Sequence, residues 1–229
     1  MERLWKGRSP LKPIGDEPLF RFFMRDSLEK PDAAIISELA KIEKVREAFD
    51  IEDGVDFEDR QDRVAHDGRM STPCAPDSYV DQPSVQQELV CVVDWRLPHM
   101  LTASRLRVGI REMDVYEGVA ILESMLPACR DSTGRSLYHA EKPTACTLKD
   151  AYGQTIQGGV EYGIVTTGEA TVFLKVHLDE PGTLFYHLAE FRHETSAHPS
   201  NGPICTAVGQ RLAFTLMLIG QQGRPSLEE

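Results

Sequence analysis

The run Leu89-Val90-Cys91-Val92-Val93 constrains this chain more than any other feature. Five apolar residues, mostly β-branched, stand between Glu88 and the triplet Asp94-Trp95-Arg96, and Pro98 closes the segment. The run is far shorter than the roughly 18 residues of a membrane span, and no other apolar run approaches that length. It predicts a core strand over Glu88–Trp95. Residues two apart on a strand point the same way, so Asp94 and Arg96 share one face while Val93 and Trp95 share the other. An acid and a base at the end of a core strand can be an ion pair where the sheet meets solvent. They can also be a charged site at a strand end, where open α/β sheets place their ligands.

The rest of the chain surrounds this strand with a mixed pattern. "VEYGIVTTGEATVFLKVHL" holds two β-rich runs around Thr167-Gly168-Glu169 and predicts a hairpin. "GTLFYHLAEF" predicts a further strand, and Asp77 to Val80 a short one before the turn-like "DQPS". Helical spacing predicts a helix from an Asp32 N-cap to about Phe49, one from a Thr102 cap to about Arg111, and one from Asp114 to about Leu126. Leu148 to Gln157, ended by Gly158-Gly159, and Ile204 to Gly220, with Val208, Leu212, Leu216 and Ile219 on one stripe, predict two more. Arg130 to Pro143 and "HETSAHPSNGP" read as loops, and the acidic stretch Asp50 to Asp62 as solvated surface. The expected fold is α/β, a mixed central sheet with helices on both faces. Its expected organisation is an arm over residues 1–31, one domain over 32–221 and a tail over 222–229.

Charge and cysteine content narrow the partners. The formal charge is −11 over 229 residues, which repels a phosphate backbone and argues against nucleic acid. The five Cys residues are odd in number and form no CxxC, which suits a reducing compartment. The N-terminal "MERLWKGRSPLKPIGDEP" lacks the apolar segment of a secretory signal. A cytoplasmic or nuclear protein with no membrane partner is expected.

A second acid gives Asp94 a further meaning. Asp77 lies upstream on the preceding candidate strand, and two neighbouring strands each delivering one Asp can hold one divalent cation, magnesium being the one that favours carboxylates plus water. His99, just past the charged strand end, is a candidate acid–base group. Tyr79, Trp95 and Tyr162 are candidate pocket walls. The helix bearing Arg105, Arg107 and Arg111 reads as a solvated face, and His187, His193 and His198 match no zinc spacing.

The acid, a spacer, then acid-x-base at the end of a core strand resembles the PD-(D/E)XK nuclease superfamily. The similarity is to a fungal branch of nuclease-like domains often found beside protein-kinase-like domains. "VVDWRLPHMLTASRLRVGIREMDVYEGV", "GGVEYGIVTTGEATVFLKV" and "DEPGTLFYHLAEF" carry it, over about Asp77 to Gly220. The resemblance implies a restriction-endonuclease-like core, metal-binding roles for Asp77 and Asp94, and the superfamily's Lys position for Arg96. It also implies an acid on the first helix, met here by Glu38 or Glu43. The motif departs from the branch's usual Glu-Tyr-Lys and Pro-His-Lys: Asp94 is one methylene shorter than Glu, Arg96 cannot transfer a proton near neutral pH, and Met100 replaces a Lys.

Three functions are expected in consequence. In the first, the old site, with Asp77, Asp94, Arg96 and His99 as polar contacts, binds or transforms a small organic molecule, as a fungal biosynthetic cyclase or isomerase would. In the second, the chain is a working magnesium-dependent nuclease. In the third, it is a catalytically silent interaction module. The first two require Asp77, Asp94 and Arg96 to converge on one hollow at the rim of the sheet.

Overall fold

The computed structural model describes residues 16–49, 51, 54–59, 78–82, 88–111 and 132–222. The first helical stretch comprises α1 (Glu17–Met24), a π-helical turn (Arg25–Glu29) and α2 (Lys30–Ala40), followed by α3 (Glu43–Phe49). Three strands follow: β1 (Asp56–Asp59), β2 (Ser78–Gln82) and β3 (Glu88–Trp95). Next come α4 (Ala103–Gly109), α5 (Ser132–Gly158), β4 (Tyr162–Thr166), β5 (Thr171–His177) and β6 (Glu180–Ala189). The described chain ends with α6 (Phe191–Ala197), a 3-10 turn (Pro199–Asn201) and α7 (Ala207–Gln222).

Among the described residues the strands form one mixed sheet of six in sequential order. Only β3 and β4 pair in parallel; every other neighbouring pair is antiparallel. A parallel pair needs a long crossover, and the segment between β3 and β4 that carries α4 and α5 supplies it. Strand alternation then sorts the core into two layers. Cys91, Val93, Trp95, Tyr162, Ile164 and Phe173 meet Phe20, Met24, Leu28 and Leu218 on one face. Val165, Val172 and Leu174 meet Leu101, Leu106, Leu148 and Ala151 on the other. Helices therefore cover both faces, as the element order implies, and β3 is buried from Val90 to Trp95 because it lies between two strands and two helical layers. No helix among the described residues is long and apolar enough to cross a membrane.

Several expected elements are present. The core strand spans Glu88–Trp95. Thr102 caps α4 by accepting the Arg105 N–H at 3.2 Å. The hairpin turns at Gly168, whose φ of 77° lies in the left-handed region that glycine tolerates. The helix expected over Asp114–Leu126 lies outside the described residues.

Four local expectations are corrected. Asp32 is not an N-cap: it sits inside α2, fully buried, and the helical stretch begins at Asp16, whose Oδ1 accepts the Leu19 N–H at 2.8 Å. Helix runs through residue 31 without a break because the π turn absorbs Pro31. A proline leaves the carbonyl four residues back without its N–H and crowds it, and here the neighbouring Lys30 N–H bonds Arg25, five residues back. Arg130 to Pro143 is not loop from Ser132 onward, since α5 continues through Pro143. "HETSAHPSNGP" contains most of α6 and the 3-10 turn, with the Glu194 carboxylate accepting the Glu190 N–H at 2.7 Å. The acidic stretch contains β1, where Phe57 is buried and paired with Val80.

Candidate functional site

The charged end of β3 is an ion-paired knot on the α5 side of the sheet. Asp94 is 4 % exposed, and its Oδ2 accepts from Arg96 Nε at 3.0 Å and Nη2 at 2.6 Å. Arg96 Nη2 also lies 3.4 Å from Asp150 Oδ2 on α5. The Arg96 backbone N–H donates to the Thr166 carbonyl at 2.9 Å, which extends the β3–β4 pairing one step past the strand. One guanidinium thus ties two carboxylates from two elements. A charge-assisted pair of this kind with one member buried is a strong contact.

The sequence-derived candidates divide around this knot. Asp94 and Arg96 do converge. Asp77 lies outside the described residues; its neighbour Ser78 pairs with Val93, the neighbour of Asp94. Tyr79 stands opposite Val92 in the register. His99 is exposed on the turn after the strand. Trp95 is buried on the opposite face, with the Arg21 guanidinium 5.8 Å from its ring. Tyr162 also faces that side, so neither aromatic walls a pocket with Asp94. Glu38 is exposed and paired with Lys41 at 2.6 Å on a helix that packs against α3 and α7; Glu43 is exposed as well. Neither acid joins Asp94, because α2 lies on the sheet face away from α5.

The arginines after β3 have structural partners. Arg107 forks onto Glu190 at the end of β6 and holds that carboxyl below its usual range. Arg111 meets the buried Glu141 at 2.9 Å, and Arg105 donates to the Met100 carbonyl. Among the described residues, no three His, Cys, Asp or Glu side chains are grouped to hold a metal ion.

A second site lies on the other face, where the sheet leaves α7. Two cross-strand rows form its floor: Tyr162, Lys175 and Phe185, then Phe173 beside His187. Phe214, Met217, Gln210 and Ile204 wall a groove of about 520 Å³. The aromatic packing is close, with Phe173 and Phe214 centroids 4.6 Å apart and Tyr162 edge-on to Phe214 at 5.9 Å. His187 stacks on Phe173 at 6.3 Å, and Lys175 Nζ sits 5.3 Å from the Tyr162 ring centre. Apart from Tyr162, sequence reading missed this site. Its signal was period-two alternation in β5 and β6, which sets Phe173 with Lys175 and Phe185 with His187 on one face.

Sequence reading also missed a buried charged cluster between α2 and α7. Arg211 lies 3.4 Å from Glu29 and 3.7 Å from Asp32, and the Thr215 hydroxyl donates to Asp32 Oδ2 at 3.1 Å. All four side chains are buried, and Arg211 stands 5.0 Å from the Phe57 ring centre. Burial, only partly offset by Arg211, pushes the Asp32 pKa up to about 6. The same cluster faces Cys91, whose thiol burial pushes up to about 12.

Comparison of the chain with protein-family models, with curated proteins and with solved structures returns no match.

Proposed function

We propose that this chain is a nuclease-like protein of PD-(D/E)XK type that no longer cleaves phosphodiesters and binds a small organic molecule in the groove beneath α7. The observation that carries the reading is the Arg96 guanidinium 2.6 Å from Asp94 Oδ2. The carboxylate that the resemblance makes a metal ligand already bears a permanent cation. Magnesium needs near-ideal octahedral geometry, and on this oxygen it would meet a fixed positive charge a few ångströms away. The mixed sheet with helices on both faces, and an acid-x-base at the end of a central strand, support a restriction-endonuclease-like core. The groove has the size and the mainly apolar, aromatic lining of small-molecule sites. A cyclase or isomerase role belongs to the same reading, with Lys175 and His187 among the groove's polar side chains.

A magnesium-dependent nuclease is the second reading. It is favoured by the register that sets Ser78 opposite Val93 and brings the start of β2 to the end of β3. Cleavage assays on DNA and RNA with magnesium and manganese separate the two. The proposal expects wild-type protein and Asp94→Ala to show the same background. Metal-dependent cleavage by the wild type that the variant lacks would reverse the order.

A further inference from the structure

The groove beneath α7 carries an inference about its ligand that rests on the small-molecule reading above. We propose that it takes an amphipathic organic anion, an aromatic or aliphatic body with one carboxylate or sulfonate head. The body is dictated by the floor and walls: Tyr162, Phe173, Phe185, Phe214 and Met217 offer ring faces and methylenes. Phe185 and Met217 are 50 % and 38 % exposed, so a ligand seated there removes apolar surface from water.

The head is dictated by charge. Among the described residues, Lys175 is the charged residue lining the groove. Its Nζ is held over the Tyr162 ring, and among the described residues it joins no ion pair. Strand register explains the placement: Lys175 lies between Tyr162 of β4 and Phe185 of β5's other neighbour, β6, so its stem is packed on both sides and its ammonium is kept at the groove. A cation–π contact leaves the ammonium's own charge unneutralised, whereas a carboxylate beside it would be both neutralised and partly shielded from water. His187, stacked on Phe173 one row away, is a further hydrogen-bonding side chain for the same head group, while the Gln210 amide on α7 donates to Glu194. In a chain of net charge −11, a site whose lining among the described residues offers a cation and no carboxylate, with Glu194 reaching it only through Gln210, selects against organic cations.

The test is a calorimetric titration of the full chain with three ligands sharing one apolar body: naphthoate, naphthylmethanol and naphthylmethylammonium. Naphthoate is expected to bind about tenfold more tightly than the neutral alcohol, the ratio of one partly shielded ion pair, and the ammonium more weakly than both. Lys175→Gln, checked for an unchanged circular dichroism spectrum, is expected to reduce the naphthoate-to-alcohol ratio to about one. Equal binding of all three by the wild type, or an unchanged ratio in Lys175→Gln, would overturn the anion while leaving an apolar ligand site. Binding of none would overturn the groove as a ligand site altogether. Concentration-dependent dimerisation that Phe185→Asp abolishes would overturn both in favour of a second copy as occupant.

Discussion

Asp32 is the residue where burial and charge disagree most. It is fully buried beside one arginine that it shares with Glu29, and its Oδ1 has no hydrogen-bond partner among the described residues. Burial disfavours the charged carboxylate by more than Arg211 and the Thr215 hydroxyl favour it, and the low-cost solution is a proton on Asp32. Its pKa rises from 3.8 to about 6, so the folded chain holds a proton that the unfolded chain releases between those values. The stability this group contributes is complete below the unfolded pKa and is lost as pH rises through about 6. The span corresponds to about 3 kcal/mol. Asp32→Asn should flatten the dependence of the urea midpoint on pH across that window; parallel profiles for wild type and variant would refute the assignment. Arg211→Ala should cost about 3–5 kcal/mol in urea unfolding, because it removes the buried guanidinium that Asp32 and Glu29 face. Cys91, held as a thiol by its burial, should resist a thiol reagent in the native protein while the half-buried Cys146 and Cys205 react. Peptide mapping after labelling reads this directly. None of this cluster was legible in sequence. Glu29 falls in the expected arm, Asp32 reads as an N-cap, and Arg211 looks like a polar interruption of an apolar helix. Their burial depends on the pairing of α2 with α7, which no local pattern encodes.

The helices show why two prolines misled the reading of boundaries. Phe20, Met24, Leu28, Asp32 and Ile36 recur every fourth residue and are all buried. In an α-helix that spacing drifts about 40° per step, which would carry Ile36 far from the face of Phe20. The wider π turn at Arg25–Glu29 offsets part of the drift, and it also relieves the crowding that Pro31 would impose. Pro143 is tolerated because α5 is anchored elsewhere, by α4 on one side and by β3 and β4 on the other. The α4–α5 contact has no spare room. A Cβ on Gly109 would lie 2.5 Å from Thr144 Oγ1 and 2.8 Å from the Ala140 carbonyl. Gly109→Ala should therefore destabilise by about 1–3 kcal/mol despite the better helix propensity of alanine. A stabilised variant in thermal or urea unfolding would show that the helices separate freely there. Strands were easier to find than helices. β3, the hairpin and β6 are set by β-branched and aromatic runs bounded by turn residues, which is local information. Helix continuity across Pro31 and Pro143 is a property of tertiary packing.

For the molecule as a whole, element order made the two-layered sheet legible, and alternation along β3 correctly put Asp94 with Arg96 and Trp95 behind them. What alternation could not supply was the state of the pair. Among the described residues, the strand end holds the Arg96 guanidinium against Asp94 and Asp150, and a groove of about 520 Å³ lies across the sheet. That site combines residues from β4, β5, β6 and α7, four elements brought together only by the fold, so no stretch of sequence displays it. A map of amide chemical shifts during titration with naphthoate in the presence of excess magnesium distinguishes the two faces most directly. The groove reading predicts shifts at Tyr162, Phe173, Lys175, His187 and Phe214, with Asp94, Arg96 and Asp150 unmoved. Shifts confined to Asp94, Arg96, His99 and Asp150 would contradict it and return function to the charged end of β3.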